Sequence, residues 1–265
     1  MPTQIAIFIL VIAITIIFAA GAENDVKFSY SGETGPDKWG SLSPSYAACS
    51  NGKTQSPINI AQKDLVVNPE LQPLTRGYNN VNGTLIDNVY NIELLFGNGV
   101  GAIIINGKNY NLEQLHWHSP SEHTIDGIRY EAELHLVHKS ADPGVSVIAI
   151  LYRFGNPDPF LSQIKGYLDN LAKEVSVGNK EARIPITLVS TEELKRETST
   201  YYRYIGSLTT PPCTEKVIWT VLAEVREISK EQVAALKAPL DTPYKQNSRP
   251  VQPLNERHVE LYANK

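Results

Sequence analysis

QLHWHSPSEH, residues 114–123, sets His116 and His118 one residue apart and adds a third imidazole at His123. The chain has six histidines, and five of them fall between His116 and His138, a clustering that a packed core does not require. In an extended chain alternate side chains share a face. If this stretch is a strand, Gln114, His116 and His118 project together. EAELHLVH, residues 131–138, reads the same way, with Glu133, His135 and Val137 on one face and Leu134, Leu136 and His138 on the other. Pairing the two strands gathers His116, His118 and His135 at one point, with an amide and a carboxylate just beneath. Three neutral imidazoles suit Zn²⁺ in an open site whose fourth position is left for water or substrate. Gln114 and Glu133 are placed to orient the rings, as metal-bound histidines require.

HWHSPSE also fits the H-x-H-x3-E of cupins, but that pattern wants glycine six residues before the first histidine, where this chain has Tyr110. It also needs a second block with P-x-G before a later histidine, and nothing of that form precedes His135 or His258. The cupin reading fails.

Outward from the histidines, strand-like runs recur at Thr84–Phe96, Val100–Asn106, Tyr110–His118, Arg129–Lys139, Val145–Phe154 and Lys216–Val225, with GNG, NGK and DG turn signals between the early ones. Two amphipathic helices stand out. In DPFLSQIKGYLDNLAKEV, Phe160, Leu161, Ile164, Tyr167, Leu168 and Leu171 share a face, Asp158 is placed as N-cap and Pro159 as first helical residue. SKEQVAALKA carries a Ser229…Gln232 capping box. Both helices read as packing elements. The expectation is a mainly β, single-domain chain built on a large, mostly antiparallel twisted sheet with a few peripheral helices.

The net charge of −4, without a basic stripe, excludes a nucleic-acid partner. At the amino end an apolar run from Ile5 to Ala20 precedes Ala20-Gly21-Ala22. The run is shorter than the ~20 residues of a spanning helix and ends in a small-x-small cleavage pattern. A signal peptide over 1–22 and a mature domain over 23–265 follow, although no Lys or Arg fronts the run, and an uncleaved anchor is the alternative. No later stretch is apolar enough to span a membrane, so no stable membrane association is expected after cleavage. An exported chain would pair its two cysteines, Cys49 and Cys213, closing a loop worth roughly 5 kcal/mol in the chain-entropy model. Asn82-Gly83-Thr84 is a glycosylation sequon in a turn-like NNVNGT.

YIGSLTTPPCTE, residues 204–215, holds two threonines before two prolines. A threonine before proline is held extended, which fixes where its hydroxyl points. Such a hydroxyl can accept from a metal-held nucleophile and donate to a buried carboxylate, for which Glu122 is the candidate; alone, TTPP reads as a rigid surface turn.

Taken together, GPDKWG, QSPINI, HWHSPSEHT, AELHLVH, YYRYIGSLTTPPCTE and RPVQPLN resemble, in order and over nearly all of residues 28–260, an α-class carbonic anhydrase of the secreted, disulfide-containing type. The resemblance implies the α-carbonic anhydrase fold, Zn²⁺ on His116, His118 and His135, orienting roles for Gln114 and Glu133, and CO₂ and bicarbonate as substrates. It implies that Thr209 aligns the nucleophile with Glu122 as its acceptor, and that Val137, Val147, Leu208, Val217 and Trp219, with Thr210 beside them, form the apolar wall for CO₂. It implies a Cys49–Cys213 disulfide that steadies the threonine loop, and structural roles for His123 and His138; His258 is an ordinary near-terminal histidine.

In one respect the chain departs from the family. No histidine precedes His116, and the proton-shuttle position aligns with Tyr90, or with Asn88 if a gap falls differently. Tyrosine, with an unperturbed pKa near ~10, is a poor relay at neutral pH, which predicts an enzyme limited by proton transfer. Tyr30 is kept and is placed to order cleft water. The other reading is a secreted storage or nectar-type binding protein on the same scaffold. The leader points to the secretory route, ending in the extracellular space (apoplast) or in a plastid reached that way. The oligomeric state is not written in the sequence.

Overall fold

The alternating runs assemble into a 13-stranded sheet accompanied by a small three-stranded one. The structure, a computed structural model, describes residues 27–196 and 198–264, so the leader read at 1–22 lies outside the described residues. Nine strands of the large sheet position the site. They are β1 (Val81–Asp87), β2 (Ile92–Phe96), β3 (Lys108–His118), β4 (Ala132–Lys139), β5 (Val145–Phe154), β6 (Arg183–Val189), β7 (Thr200–Ser207), β8 (Glu215–Leu222) and β9 (Glu260–Ala263). Across the sheet the order is β6-β1-β2-β3-β4-β5-β8-β7-β9. Neighbours in this row are antiparallel except β5 and β8, which run parallel. This is the mainly β, mostly antiparallel single-domain architecture that the patterning predicts.

Two differences are instructive. The run Thr84–Phe96 is not one strand but the hairpin β1–β2. Asn88 Oδ1 accepts the N–H groups of Tyr90 (3.1 Å) and Asn91 (2.9 Å), and Val89 takes a φ of 81°. A side-chain amide that satisfies local backbone donors competes with the ladder and turns the chain. β6 and β7 go unread in the sequence because Pro185 interrupts the first, and Arg203 and Gly206 break the apolar rhythm of the second.

The sheet separates two cores. One face carries Leu115, Trp117, Leu134, Leu136, Ile148, Ile150 and Tyr152, all buried with helix α1 (Pro159–Ser176). Asp158 caps α1 by accepting from Leu161 N–H at 2.8 Å, and Phe160, Leu161, Ile164, Leu168 and Leu171 are buried along its inner stripe. Each such side chain contributes about 1.5–3 kcal/mol by leaving water. Helix α2 (Lys230–Lys237) forms the expected Ser229–Gln232 capping box. The opposite face carries Val137, Val147, Ala149, Leu151, Tyr202, Tyr204, Val217, Trp219 and Val221. His116, His118 and His135 lie on this second face.

Candidate metal centre

Strand register brings the candidate ligands together. On β3 and β4 the Cα partners are His116↔His135, His118↔Glu133 and Gln114↔Val137. Side chains at paired positions share a face, so three imidazoles, one amide and one carboxylate meet as the alternation predicts. The ring centroids lie 5.1 Å (His116–His118), 5.0 Å (His116–His135) and 4.7 Å (His118–His135) apart. One nitrogen from each ring falls within 4.8 Å of the others.

Each ring uses its other nitrogen on an acceptor. His116 Nδ1 is 2.8 Å from Gln114 Oε1, His118 Nδ1 is 2.6 Å from the Asn247 carbonyl, and His135 Nε2 is 2.7 Å from Glu133 Oε1. Those atoms only accept, so they fix the proton there and leave His116 Nε2, His118 Nε2 and His135 Nδ1 bare in the neutral rings. Desolvation, added to by the neighbouring rings His135 and His118, holds His116 well below the usual histidine range; burial takes His118 down to about 4 and lowers His135 as well. Two bare nitrogens then face each other at 3.1 Å between His116 and His135, and His118 Nε2 is buried without a hydrogen-bond partner. Converging lone pairs that share no proton repel unless a cation lies between them. The donor set fits Zn²⁺ with an open fourth position.

Glu133 is the keystone behind the rings. It is fully buried and accepts four N–H groups: the backbone of Glu122 and of His123 at 2.8 Å each on Oε2, and His123 Nδ1 (2.6 Å) and His135 Nε2 (2.7 Å) on Oε1. Burial alone would raise its pKa, but His123 and His135 outweigh that and hold it well below the ordinary carboxylate range. The chain of contacts continues from His123 Nε2 to the Tyr204 hydroxyl (2.6 Å) and on to Ser56 Oγ (2.9 Å). Ser56 and Ser207 exchange hydrogen bonds through their backbone N–H groups at 2.9 and 3.0 Å. Gly206 permits this approach, since a Cβ there would run into Ser56 Oγ.

The threonine loop follows directly. Leu208 N–H donates to Thr214 (2.9 Å) and Cys213 N–H to Thr210 (2.8 Å), which closes the turn that carries Thr209, Thr210 and the cis Pro211-Pro212 bond. Thr209 is buried, and its hydroxyl counters part of the rise that burial imposes on Glu122, whose pKa is pushed to about 7. Glu122 Oε1 accepts Arg249 N–H at 2.9 Å, while Oε2 stands 3.5 Å from His118 Nε2. The loop is pinned from below by the Cys49–Cys213 disulfide, with Cα atoms 5.0 Å apart.

Val137, Val147, Val217 and Trp219 are buried along one face, with Leu208 packed against them and Thr210 half-buried at the loop. The Trp219 ring lies 4.9 Å from His135. Tyr90 is half-buried, stacked on Phe28 (3.9 Å, 13°) and set edge-on to Tyr244 (5.5 Å), so it belongs to an aromatic cluster. Asn88, the other shuttle candidate, donates to Glu93 at 2.6 Å. The Tyr30 hydroxyl is buried without a partner. His138 is buried on the far side of β4, with Tyr78 Oη 2.6 Å from its Nε2, and His258 is exposed. Asn82 is exposed, but in strand β1 and not in a turn, with its Oδ1 accepting from Leu188 N–H.

Sequence reasoning missed Asn247 and Arg249. Asn247 accepts from His118 through its carbonyl, takes Ser119 N–H on Oδ1 (2.9 Å), and donates to the Tyr90 and Trp117 carbonyls. Arg249 is 1% exposed and donates to the carbonyls of Ser56 and Cys49 and to Gln55 Oε1. A backbone carbonyl as the partner of a ligand leaves no trace in residue type; only the buried arginine before Pro250 offered a signal.

A family model described as eukaryotic-type carbonic anhydrase matches residues 34–263. Alpha carbonic anhydrase 7 of Arabidopsis thaliana is 39% identical over 97% of this chain and 94% of its own. Dioscorin DB3L of Dioscorea polystachya is 37% identical over 91% of this chain and 87% of its own. Among solved structures, dioscorin complexed with ascorbate superposes with a TM-score of 0.85 at 37% identity, covering 90% of this chain and 99% of that one. The α-carbonic anhydrase of Thermovibrio ammonificans with sulfanilamide gives 0.79 at 35% identity, covering 89% and 99%.

Proposed function

This chain belongs to the eukaryotic-type carbonic anhydrase family, and on that premise we propose that it is a zinc enzyme interconverting CO₂ and bicarbonate. The observation that carries this reading is the set of three bare imidazole nitrogens within 4.8 Å of one another, each ring held from behind by its own acceptor. Zinc on those nitrogens supplies Lewis acidity that makes hydroxide available near neutral pH, an effect for which carbonic anhydrase is the standard case.

The chain's own residues do the rest. The Thr209 hydroxyl, which lies beside Glu122, would donate to that carboxylate and keep only lone pairs, with which it would accept a hydrogen bond from the nucleophile and so orient the attack. Arg249 N–H holds the Glu122 carboxylate in place as acceptor. Val137, Val147, Leu208, Val217 and Trp219 keep water off an apolar strip where CO₂, which forms no strong hydrogen bonds, loses nothing on entry, with Thr210 at its edge. The proton then leaves slowly. His123 and His138 are buried and hydrogen-bonded, and Tyr90 is stacked in an aromatic cluster. Neither Tyr90 nor Asn88, the residues aligned with the shuttle position, is a histidine. The disulfide and the leader pattern support passage through the secretory route. Among the described residues no helix is long and apolar enough to cross a membrane, and exposed Asn82 accepts a glycan.

Stopped-flow CO₂ hydration by zinc-loaded protein, at low and high imidazole, tests this. The expected result is zinc-dependent turnover that climbs with imidazole, and a rise at low buffer in Tyr90→His. Fast turnover at low buffer would overturn the slow proton exit. A storage or nectar-type binding role is the second reading, favoured by the similarity to proteins named dioscorin; absence of turnover with zinc bound would overturn the enzyme reading and put this one first.

A further inference from the structure

A concavity of about 530 Å³ is lined in part by Pro120 and Ser248, which stand close in the chain to His118 and Asn247, and it shares none of the metal centre's candidate ligands. Three stretches of chain enclose it: Tyr30 and Ser31 near the amino end, Pro120 and Arg129, and residues between Thr242 and Ser248. None of the ligand histidines, Thr209 or the apolar wall lines it. Its volume falls in the range of small-molecule pockets.

The chemistry of its lining is one-sided. Among the described residues that line it, Arg129 is the only charged one and none is a carboxylate. One guanidinium nitrogen donates to the Ser121 carbonyl at 2.9 Å, which anchors the planar group and leaves its other N–H groups for a ligand. Ser31 and Gln246 add a hydroxyl and an amide donor, Ser248 gives its O–H to the Pro120 carbonyl, and Tyr30 contributes a hydroxyl that is buried with no partner. A planar cation with neutral donors around it and no competing anion selects a carboxylate or oxyanion.

The segment that forms one wall also builds the centre. Between Gln246 and Ser248 lies Asn247, whose carbonyl fixes the His118 ring, and next to them Arg249 N–H fixes Glu122. We propose that this cavity binds a small carboxylate or oxyanion through Arg129 and its neighbouring hydroxyl and amide groups, against the segment that holds His118 and Glu122.

Calorimetric titration of the protein with citrate, and separately with inorganic phosphate, at low ionic strength tests this, with zinc loaded and with zinc removed by a chelator. The expected result is saturable binding of at least one anion in both forms, weakened at least about tenfold in Arg129→Gln. Ser248→Trp, which fills the cavity, should abolish it. Thermal unfolding shows whether each variant folds, and Arg129→Gln, at an exposed position, decides alone if Ser248→Trp does not. Binding that disappears with zinc places the anion on the metal and overturns the proposal. So does binding indifferent to both variants, or no saturation by about 20 mM of either anion. Because the zinc-free protein is titrated too, the result is independent of whether the chain turns over CO₂.

Discussion

Glu133→Gln places one nitrogen where two oxygens now accept four N–H groups, and the structure says what each orientation costs. With the amide nitrogen at the Oε2 position, the backbone N–H groups of Glu122 and His123, now 2.8 Å from a carboxylate oxygen, face another donor. Two buried donors without acceptors cost about 1–3 kcal/mol each, or about 2–6 kcal/mol together. With the nitrogen at the Oε1 position, the Nε2 atom of His135 must accept, so its proton moves to Nδ1. That is the nitrogen the metal needs. Either way the centre is worse, and disturbing the groups behind metal-bound histidines typically lowers metal affinity about 10–100-fold. Urea unfolding of the metal-free protein and zinc affinity by chelator competition measure the two effects. The expected outcome is a metal-free variant destabilised by about 2 kcal/mol or more, or zinc bound at least about tenfold more weakly, according to the amide's orientation. A variant with parental stability and zinc affinity within about twofold would refute the role of Glu133 as the acceptor that fixes His135.

Thr209→Ala removes the hydroxyl between Glu122 and the nucleophile; CO₂ hydration should fall by about 10²–10³-fold with zinc content unchanged by metal analysis. Reducing the disulfide, or replacing both Cys49 and Cys213 by serine, opens a loop spanning 164 positions and should cost about 5 kcal/mol in denaturant unfolding. Burial holds His138 down to about 3, against the weaker pull of the Ser146 carbonyl. The unfolded chain therefore takes up this proton first, near pH ~6.5, and its contribution to stability is complete above that pH and declines toward pH 3, by up to about 5 kcal/mol. Urea unfolding at pH 7 and pH 4 should show this slope, and His138→Gln should flatten it.

The alternation in Gln114-x-His116-x-His118 and Glu133-x-His135 specifies which side chains share a face, since the period of a strand is two. The paired register His116↔His135 then follows from burying the apolar partners Leu115 and Leu136 on the other face. Asp158 and Ser229 are legible as caps because short polar side chains satisfy local backbone donors wherever the chain turns helical. The hairpin break at Asn88 was hidden for the same reason: the residue accepts two local N–H groups instead of continuing a ladder, and its neighbours read as strand.

By itself, then, the sequence determined the cluster of His116, His118 and His135, the sheet that carries it, and the acceptors Gln114 and Glu133 behind two of the rings, because each depends on residue type at short, regular spacing. Only the tertiary structure decided that the Asn247 carbonyl holds His118, that Arg249 ties Glu122 to the disulfide corner, that Tyr90 is stacked on Phe28, and that Arg129 and neutral residues from distant stretches line one cavity. Each of these joins segments more than 60 residues apart, and two run through the peptide backbone, which every residue has alike. Residue identity carries no signal for such contacts; they exist only once distant stretches of chain have been packed against each other.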